Sequence, residues 1–243
     1  MTTRQEALLA LVIEEYITTA EPVSSKLLEK SGFCGLKSAS IRAEMSQLER
    51  WEYLLHLHTS GGRIPTDRAY RYLVDNLISW DELEPSSQER KTISAVINDS
   101  DIRKLNKNIA HTLSVLSDSI VITSVIERDD FFKFGLASLF EMPDFRELER
   151  AFKVTSFVDE FEKIFDRLER YISEDMENPR IFIGRENPVG GVKNETIILA
   201  KYNLPDGLTG SMTMIGPTRM DYEKNIGLVK YATEELNKLA QNI

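Results

Sequence analysis

The segment HTSGGRIPTDRAYRYLVD, residues 58–75, constrains the fold more than any other part of the chain. The apolar run 52–58 and the run 63–66 flank the residues TSGG, and glycines supply the positive φ angles of a tight hairpin turn. Thr66 is a suitable N-cap for a helix that starts at once. The inward face of that helix is predicted to hold Tyr70, Leu73, Val74 and Leu77. The spacing therefore predicts a β-hairpin joined directly to an amphipathic helix.

Three short helices are predicted ahead of this hairpin. The first covers residues 4–18 and is capped by Thr2 or Thr3. Pro22 prevents it from continuing, and a second helix then starts at the N-cap Ser24, turns Leu27 and Leu28 inward and ends at Gly32. The third helix has Ser38 as its predicted N-cap and an apolar stripe formed by Ile41, Met45 and Leu48.

The outward face of the third helix carries small residues. Ala39, Ala43, Ser46 and Arg50 point away from the apolar stripe, and Arg42 and Gln47 lie on its flanks. Small residues allow a helix to approach the floor of the major groove, where Arg and Gln reach base edges or phosphates. A surface helix that is merely rich in Ala and Ser is the alternative, and the pattern leaves both interpretations open.

The order of three helices and a hairpin is that of a winged helix-turn-helix domain, in which the hairpin lies along the DNA backbone. Residues 22–74 contain eight basic and five acidic residues, whereas residues 81–243 contain 21 basic and 29 acidic ones. The first part is therefore basic within an acidic chain, as a DNA-binding surface requires. His56 and His58 have no third partner and are interpreted as hairpin residues rather than metal ligands. The predicted DNA-binding residues are Lys26, Lys37, Ser38, Ser40, Arg42, Ala43, Ser46, Gln47, His58, Thr59, Ser60 and Arg63.

The polar stretch DELEPSSQERK predicts a linker at residues 81–91, between a domain at 1–80 and a second domain at 92–243. The second domain is predicted to contain a helical segment at 92–118, a strand in DSIVITSVI, and helices at 144–152 and 157–174. Three further strands and a last helix, starting near Met220 with a Thr218–Asp221 capping box, follow. This order predicts an α+β fold with a mainly antiparallel sheet flanked by helices.

Several motifs resemble one known family. LLALVIEEYITTAEPVSSKLL, SASIRAEMSQLE and HTSGGRIPTDRAYRYLVD are similar to the DNA-binding domain of the heat-inducible transcription repressor HrcA. FEMPDF, IFIGREN, IILAKY and TGSMTMIGPTRMDYEKNIGLVKYATEEL resemble the GAF-like domain of the same family, so the resemblance covers residues 4–79 and 135–242. The chain departs from the family pattern at four positions, where Ser40, Glu52, Gly62 and Ala69 replace Thr, Gly, Ala and Gly. It also resembles a short form, because only the residues around Ile126–Lys133 stand where the family has an inserted dimerisation module.

The resemblance implies a function and partners. It implies a repressor of heat-shock (chaperone) operons that binds an inverted-repeat operator in double-stranded DNA as a homodimer, is relieved by heat stress, and has the chaperonin GroEL as a further partner. A small-ligand-responsive regulator of another operon and an adaptor that does not bind DNA are the alternatives. For the dimer contact, the stripe of Phe157, Phe161 and Phe165 and the segment 92–118 are two candidates, although such a stripe also suits the core of the monomer.

Catalytic and metal-binding motifs are missing from the sequence. There is no glycine-rich phosphate loop, nucleophile elbow or HExxH, and one cysteine with three histidines does not make a zinc site. The loop GRENPVGG, 184–191, is interpreted as a plain connection between strands. We therefore expect no enzyme activity, no cofactor and no metal. No apolar run is long enough to cross a membrane and the N-terminus does not resemble a leader, so a cytoplasmic location is expected.

Overall fold

Residues 1–56, 62–97, 101–171 and 178–241 are described by the computed structural model, and the chain divides into the units Met1–Ser79 and Trp80–Ile243. The first unit contains four α-helices and two short strands within its described residues. They are α1 (Thr3–Thr19), α2 (Ser25–Lys30), α3 (Ser38–Arg50), β1 (Leu54–His56), β2 (Arg63–Pro65) and α4 (Asp67–Tyr72), which continues as a π-helical turn over Leu73–Leu77.

Local capping explains where the helices of the first unit begin. Thr2 and Gln5 form a reciprocal capping box at α1, and the side chains of Ser24 and Thr66 accept the N–H groups of Leu27 and Ala69. At α3 the prediction was wrong, because Lys37 rather than Ser38 occupies the N-cap position. The side chain of Ser38 instead meets that of Ser25, with 2.8 Å between the two Oγ atoms.

The apolar stripes of α1, α2, α3 and α4 meet in one core. Its buried members include Leu8, Leu9, Val12, Ile13, Leu28, Ile41, Met45, Leu48, Tyr70 and Val74. Leu27, predicted to face inward, is 40% exposed. In this six-residue helix Leu28 points into the core, and Leu27, about 100° away around the helix, faces solvent.

The hairpin is antiparallel, with Leu54 opposite Pro65 and His56 opposite Arg63. Val23 pairs with the other edge of Arg63 through two backbone hydrogen bonds of 2.9 and 2.8 Å. A Cβ atom at Gly62 would lie 2.5 Å from the carbonyl group of Pro22. This close approach explains why Gly62 replaces the Ala of the family pattern.

Glu52 ends α3 in an unusual conformation. Its φ angle is +63°, and its N–H group donates to the carbonyl oxygen of Glu49 at 2.9 Å. A left-handed residue just past a helix end is ordinarily Gly, since any Cβ is strained there. The glycine of the family pattern therefore has a conformational reason, and this chain places a glutamate in the same strained position.

The second unit is an α+β structure built on a five-stranded antiparallel sheet with strand order β4-β3-β7-β6-β5. This arrangement fits a GAF-like domain. Its elements are α5 (Ser87–Ile97), α6 (Ile102–Ser117), β3 (Ile120–Val125), β4 (Asp130–Phe134), α7 (Leu136–Glu141), α8 (Leu148–Asp159), α9 (Phe161–Glu169), β5 (Arg180–Ile183), β6 (Glu195–Asn203), β7 (Thr209–Pro217) and α10 (Tyr222–Gln241).

Several element boundaries in the second unit differ from the sequence prediction. Residues 87–91 of the predicted linker belong to α5, which starts at a reciprocal pair of hydrogen bonds between Ser86 and Glu89. β4 was not predicted as a strand; it pairs with β3 after a turn in which Asp129 has a φ of +54°. Asp221 alone caps α10, by accepting the N–H of Lys224 at 3.0 Å, so the predicted capping box with Thr218 was wrong.

The phenylalanine stripe lies in the core and not on the surface. Phe157, Phe161 and Phe165 are 3%, 1% and 4% exposed, and their rings pack against one another and against Phe131. They cover one face of the sheet, which presents Ile120, Ile122, Ile197, Leu199 and Ile215. The candidate dimer contact at this stripe is therefore excluded, and the alternative that the stripe fills the core of the monomer is confirmed, because an apolar sheet face needs this cover.

Candidate nucleic-acid interface

Three glutamates fix the orientation of α3. The carboxylate of Glu29 accepts the backbone N–H of Ser38 at 3.1 Å, at the start of the helix. In the middle, Glu44 is bound by Arg4 and by the side-chain amide of Gln5, which donates at 2.8 Å. Near the end, Glu49 accepts Nε of Arg63 at 2.9 Å. Three of the five acidic residues in this basic segment thus hold α3 against α1, α2 and the hairpin.

The face of α3 away from the core matches the predicted pattern of small residues. Ala39, Ser40, Arg42 and Ala43 are exposed, and Ser46 and Gln47 are half-buried. The Arg42 side chain makes no hydrogen bond or ion pair with any described residue, and the same holds for Lys26 on α2. Lys37 is 86% exposed, with its ammonium group 3.5 Å from Glu29. The outer side of α2 and α3 therefore presents small side chains, the cations Lys26 and Arg42 without a partner among the described residues, and the exposed, ion-paired Lys37.

Arg63 does not share this freedom. Its side chain is 11% exposed, and besides the bond to Glu49 it donates from Nη2 to Oγ of Ser46 at 2.8 Å. The sequence interpretation had this guanidinium directed toward phosphate, whereas in the structure it links the hairpin to α3. Sequence reasoning also missed Glu49, since the register between a hairpin and a helix is not visible in either segment. The only sign of this role of Glu49 in the sequence was that an acidic residue stood within a basic stretch.

The predicted contacts at the tip of the hairpin lie outside the described residues. These are His58, Thr59 and Ser60. His56 is the last described residue before the tip; it is half-buried in β1 and faces Arg63 across the hairpin.

Side-chain hydrogen bonds in the second unit hold the loop 184–191 and the turn before α10. The amide of Asn187, in the loop 184–191, donates to the carbonyl oxygens of Gly184, Val192 and Glu195 at 2.9, 2.6 and 2.7 Å. The guanidinium of Arg219 donates from Nε to Asp144 at 2.9 Å. These contacts fasten the loop to the start of β6 and the turn before α10 to the segment that precedes α8.

Within residues 1–56, 62–97, 101–171 and 178–241, no group of three His, Cys, Asp or Glu side chains is arranged to hold a metal ion. Among these residues no helix combines the length and apolarity needed to cross a membrane.

The chain matches one known protein family over most of its length. The family model for the HrcA protein C-terminal domain matches residues 40–226, which is more than half of the chain. The chain belongs to the HrcA family. Heat-inducible transcription repressors HrcA from Oceanobacillus iheyensis and Thermoanaerobacter sp. (strain X514) are 25% and 26% identical to it. The alignments cover 97% and 99% of this chain and 96% and 97% of those two proteins.

The two HrcA relatives contain residues that this chain lacks. Their alignments run over 334 and 337 positions, whereas the chain has 243 residues, so the alignments include long gaps on the side of this chain. The expectation of a short-form HrcA agrees with these lengths. A solved structure described as a hypothetical protein at 2.2 Å resolution has the same fold, with a TM-score of 0.80 and 18% identity. It covers 100% of this chain, and 99% of its own length is matched.

Proposed function

We propose that the chain is a sequence-specific DNA-binding repressor of heat-shock (chaperone) operons, and that its first unit is a winged helix-turn-helix. The observation that carries the proposal is the outward face of α3. Exposed small residues and an unpaired Arg42 lie on a helix that is held at three points by glutamates, in a member of the HrcA family.

In this proposal α3 enters the major groove. Ala39 and Ala43 have no bulk that would keep the helix from the base edges, and Arg42 is long enough to donate to a guanine. The exposed Lys26 and Lys37 contact the phosphates beside the groove, where charge fixes position without reading sequence. Ser40, Ser46 and Gln47 complete the reading face, and the hairpin residues His58, Thr59 and Ser60 approach the flanking backbone.

Repression would occur by occlusion. Two copies of the chain occupy the two halves of an inverted repeat, because each half-site presents the same edges in opposite orientation. Heat stress releases the operator, and the chaperonin GroEL is a proposed partner in restoring repression. The site of action is the cytoplasm, where the operons are transcribed.

The small-ligand alternative has one candidate location in the second unit. An open cleft of about 540 Å³ is lined by residues of α5 and α10. Some of its polar groups already have partners: Arg90 donates to Glu84 at 2.7 Å, and the hydroxyl groups of Ser94 and Tyr231 lie 3.0 Å apart. The cleft alone does not favour a ligand-sensing function over DNA binding, so we do not adopt it.

Footprinting and gel-shift assays on the promoter of a chaperone operon test the proposal, with a scrambled promoter of equal length as the control. The expected result is a protected inverted repeat and tighter binding to the promoter than to the control. Both assays are performed at two salt concentrations, since charge alone binds any DNA and weakens steeply with salt. Equal affinity for both DNAs at both salt concentrations would refute the proposal.

A further inference from the structure

Leu148 and Phe152 of α8 are the most exposed large apolar side chains among the residues that the structure describes. They are 83% and 70% exposed. Since they lie four residues apart on one helix, their side chains are neighbours on the same face. We call these two residues the α8 pair. Single exposed apolar residues are ordinary, but adjacent large ones mark an interaction surface.

The opposite side of α8 is anchored so that the α8 pair cannot turn inward. Val154 and Phe157 are buried in the core. Arg150, two residues from each member of the pair and hence on the other face of the helix, donates to Glu195 at 2.8 Å and to the carbonyl oxygen of Asn194 at 2.7 Å.

Glu195 is the buried partner of Arg150 in this ion pair. Its side chain is 2% exposed, and burial raises the pKa of its carboxyl group against the opposing effect of Arg150. A buried carboxylate that lost its cation would be left uncompensated. A rotation of α8 that buried Leu148 and Phe152 would withdraw Arg150 from Glu195, so the fold holds the pair in solvent.

The charges beside the α8 pair are arranged asymmetrically along the helix. Glu147 and Glu149 lie at its N-terminal end, and Lys153 lies one turn further on, with its ammonium group 2.6 Å from Glu149. All three residues are exposed. The exposed side of α8 thus has an acidic end, an apolar middle and a basic flank.

We propose that the α8 pair is the centre of a contact between two copies of this chain, with the two α8 helices antiparallel about a two-fold axis. In that arrangement the Leu148 of each copy meets the Phe152 of the other, and each Lys153 faces the acidic end of the other helix. A contact of this kind requires one surface that is complementary to itself, and the charge order on α8 provides it. The inference deepens the proposed function, since it rests on the need for two copies at an inverted repeat.

The small size of the α8 pair sets the expected affinity of the contact between the two copies. Two side chains per copy form only the centre of a standard interface. We therefore expect a weak dimer in free solution that becomes tight on the operator, where bound DNA holds the second copy nearby.

Sedimentation of the full chain over a wide concentration range tests the contact. Phe152→Glu is expected to raise the dissociation constant of the free dimer by at least about tenfold, because it places a charge at the centre of the contact. Val115→Glu is the matched control: Val115 is 61% exposed on α6, within the segment 92–118, the other candidate for a dimer contact. A loss of association with Val115→Glu but not with Phe152→Glu would overturn the proposal in favour of α6.

A charge exchange separates contacts between copies from contacts within one helix. Lys153→Glu and Glu149→Lys are each expected to weaken self-association, whereas an equimolar mixture of the two variants forms a mixed dimer as tight as the original. The mixture restores opposite charges only across the antiparallel interface, since neither variant restores its own intrahelical pair. If the mixture associates no better than either variant alone, the antiparallel arrangement is wrong.

Sedimentation is measured without DNA, so that self-association and operator binding are tested independently. A chain that binds no operator but loses self-association with Phe152→Glu would refute the proposed function and support the contact. A chain that protects the operator equally with and without Phe152→Glu, at two copies per operator, would support the function and refute the contact. A wild-type chain that stays monomeric at all concentrations would also refute it.

Discussion

Arg42 and Arg63 have the same side chain and differ in what surrounds it. Arg42 is exposed and makes no hydrogen bond or ion pair with the described residues, whereas Arg63 is 11% exposed and donates to Glu49 and Ser46. Two of the five N–H donors of Arg63 are thus already engaged, so fewer remain for a phosphate than on Arg42. The two arginines are therefore expected to act differently on DNA.

Replacement of Arg42 tests its role as a base reader. Arg42→Ala is expected to cost about 1–3 kcal/mol of operator binding and to relax specificity, since a good side-chain contact with a base edge is worth that much. Titration of operator and scrambled DNA with each protein measures the change. Arg167→Ala removes the same charge from an exposed position on α9 and should leave both affinities close to the original. An equal loss on both DNAs would mean that Arg42 contacts phosphate.

Glu52 offers a stability test at a single backbone position. Glu52→Gly is expected to stabilise the first unit by about 1 kcal/mol, because Gly adopts a φ of +63° without strain. The lost ion pair with Arg68, at 3.5 Å on the surface, contributes little. Urea unfolding measures the change. Glu52→Ala removes the same charge but keeps a Cβ atom, so a gain with Ala as large as that with Gly would contradict the conformational explanation.

At the scale of elements, the Arg63–Glu49 pair joins the hairpin to α3, so the two parts of the proposed DNA surface are expected to be held in register. Other ties of the described hairpin residues include backbone bonds to Val23 and the hydrogen bond from the hydroxyl of Thr66 to the carbonyl oxygen of Glu52, at 2.6 Å. The Arg63 side chain, through Glu49 and Ser46, connects the hairpin to the helix that is proposed to read the DNA.

A double-mutant cycle measures this link. Arg63→Ala and Glu49→Ala are each expected to lower the free energy of unfolding, with a coupling of about 1 kcal/mol, since the two side chains share one network. The salt dependence of DNA binding gives a second measurement. If Arg63 only positions the hairpin, Arg63→Ala leaves the salt slope unchanged. A slope reduced by about one would show that Arg63 leaves Glu49 for a phosphate.

The phenylalanines of α8 and α9 allow a comparison of buried and exposed positions. Phe161→Ala is expected to lower the free energy of unfolding by about 3–5 kcal/mol, because it leaves a cavity under the sheet. Phe152→Ala, at a position that is 70% exposed, should change it by less than about 0.5 kcal/mol. Denaturant unfolding of both variants checks this contrast. Similar losses for the two would mean that α8 is packed differently.

At the scale of the whole molecule, the second unit is expected to fold without metal or cofactor. Its sheet is covered on one face by aromatic side chains, and the buried polar side chains of Thr196 and Tyr222 bond to each other at 2.8 Å. Native mass spectrometry after dialysis should give the mass of the polypeptide alone, 27.8 kDa, or twice that mass. A retained metal ion or small molecule would favour the ligand-responsive alternative over the repressor of chaperone operons.

Much of the first unit could be predicted from the sequence because its signals are local. The caps Thr2, Ser24 and Thr66 act within one helical turn, and the stripe of Ile41, Met45 and Leu48 follows from the helical period. The small outward face of α3 follows from the same period. The order of these elements, with their motifs, was also enough to indicate the HrcA family.

The tertiary structure decided which residues cover each apolar face and which residues pair with each charged side chain. A periodic stripe indicates that a face is apolar but not whether it is buried. The burial of Phe157, Phe161 and Phe165 depends on the opposing sheet, and the exposure of Leu148 and Phe152 depends on the anchor of Arg150. Arg63 is 14 residues from Glu49, and their contact depends on the register of the hairpin against α3. The sequence by itself determined the helices of the first unit, three of their N-caps and the family, because those signals act over a few residues. Partners across long separations were decided by packing, since the pattern of a segment contains no information on its neighbour.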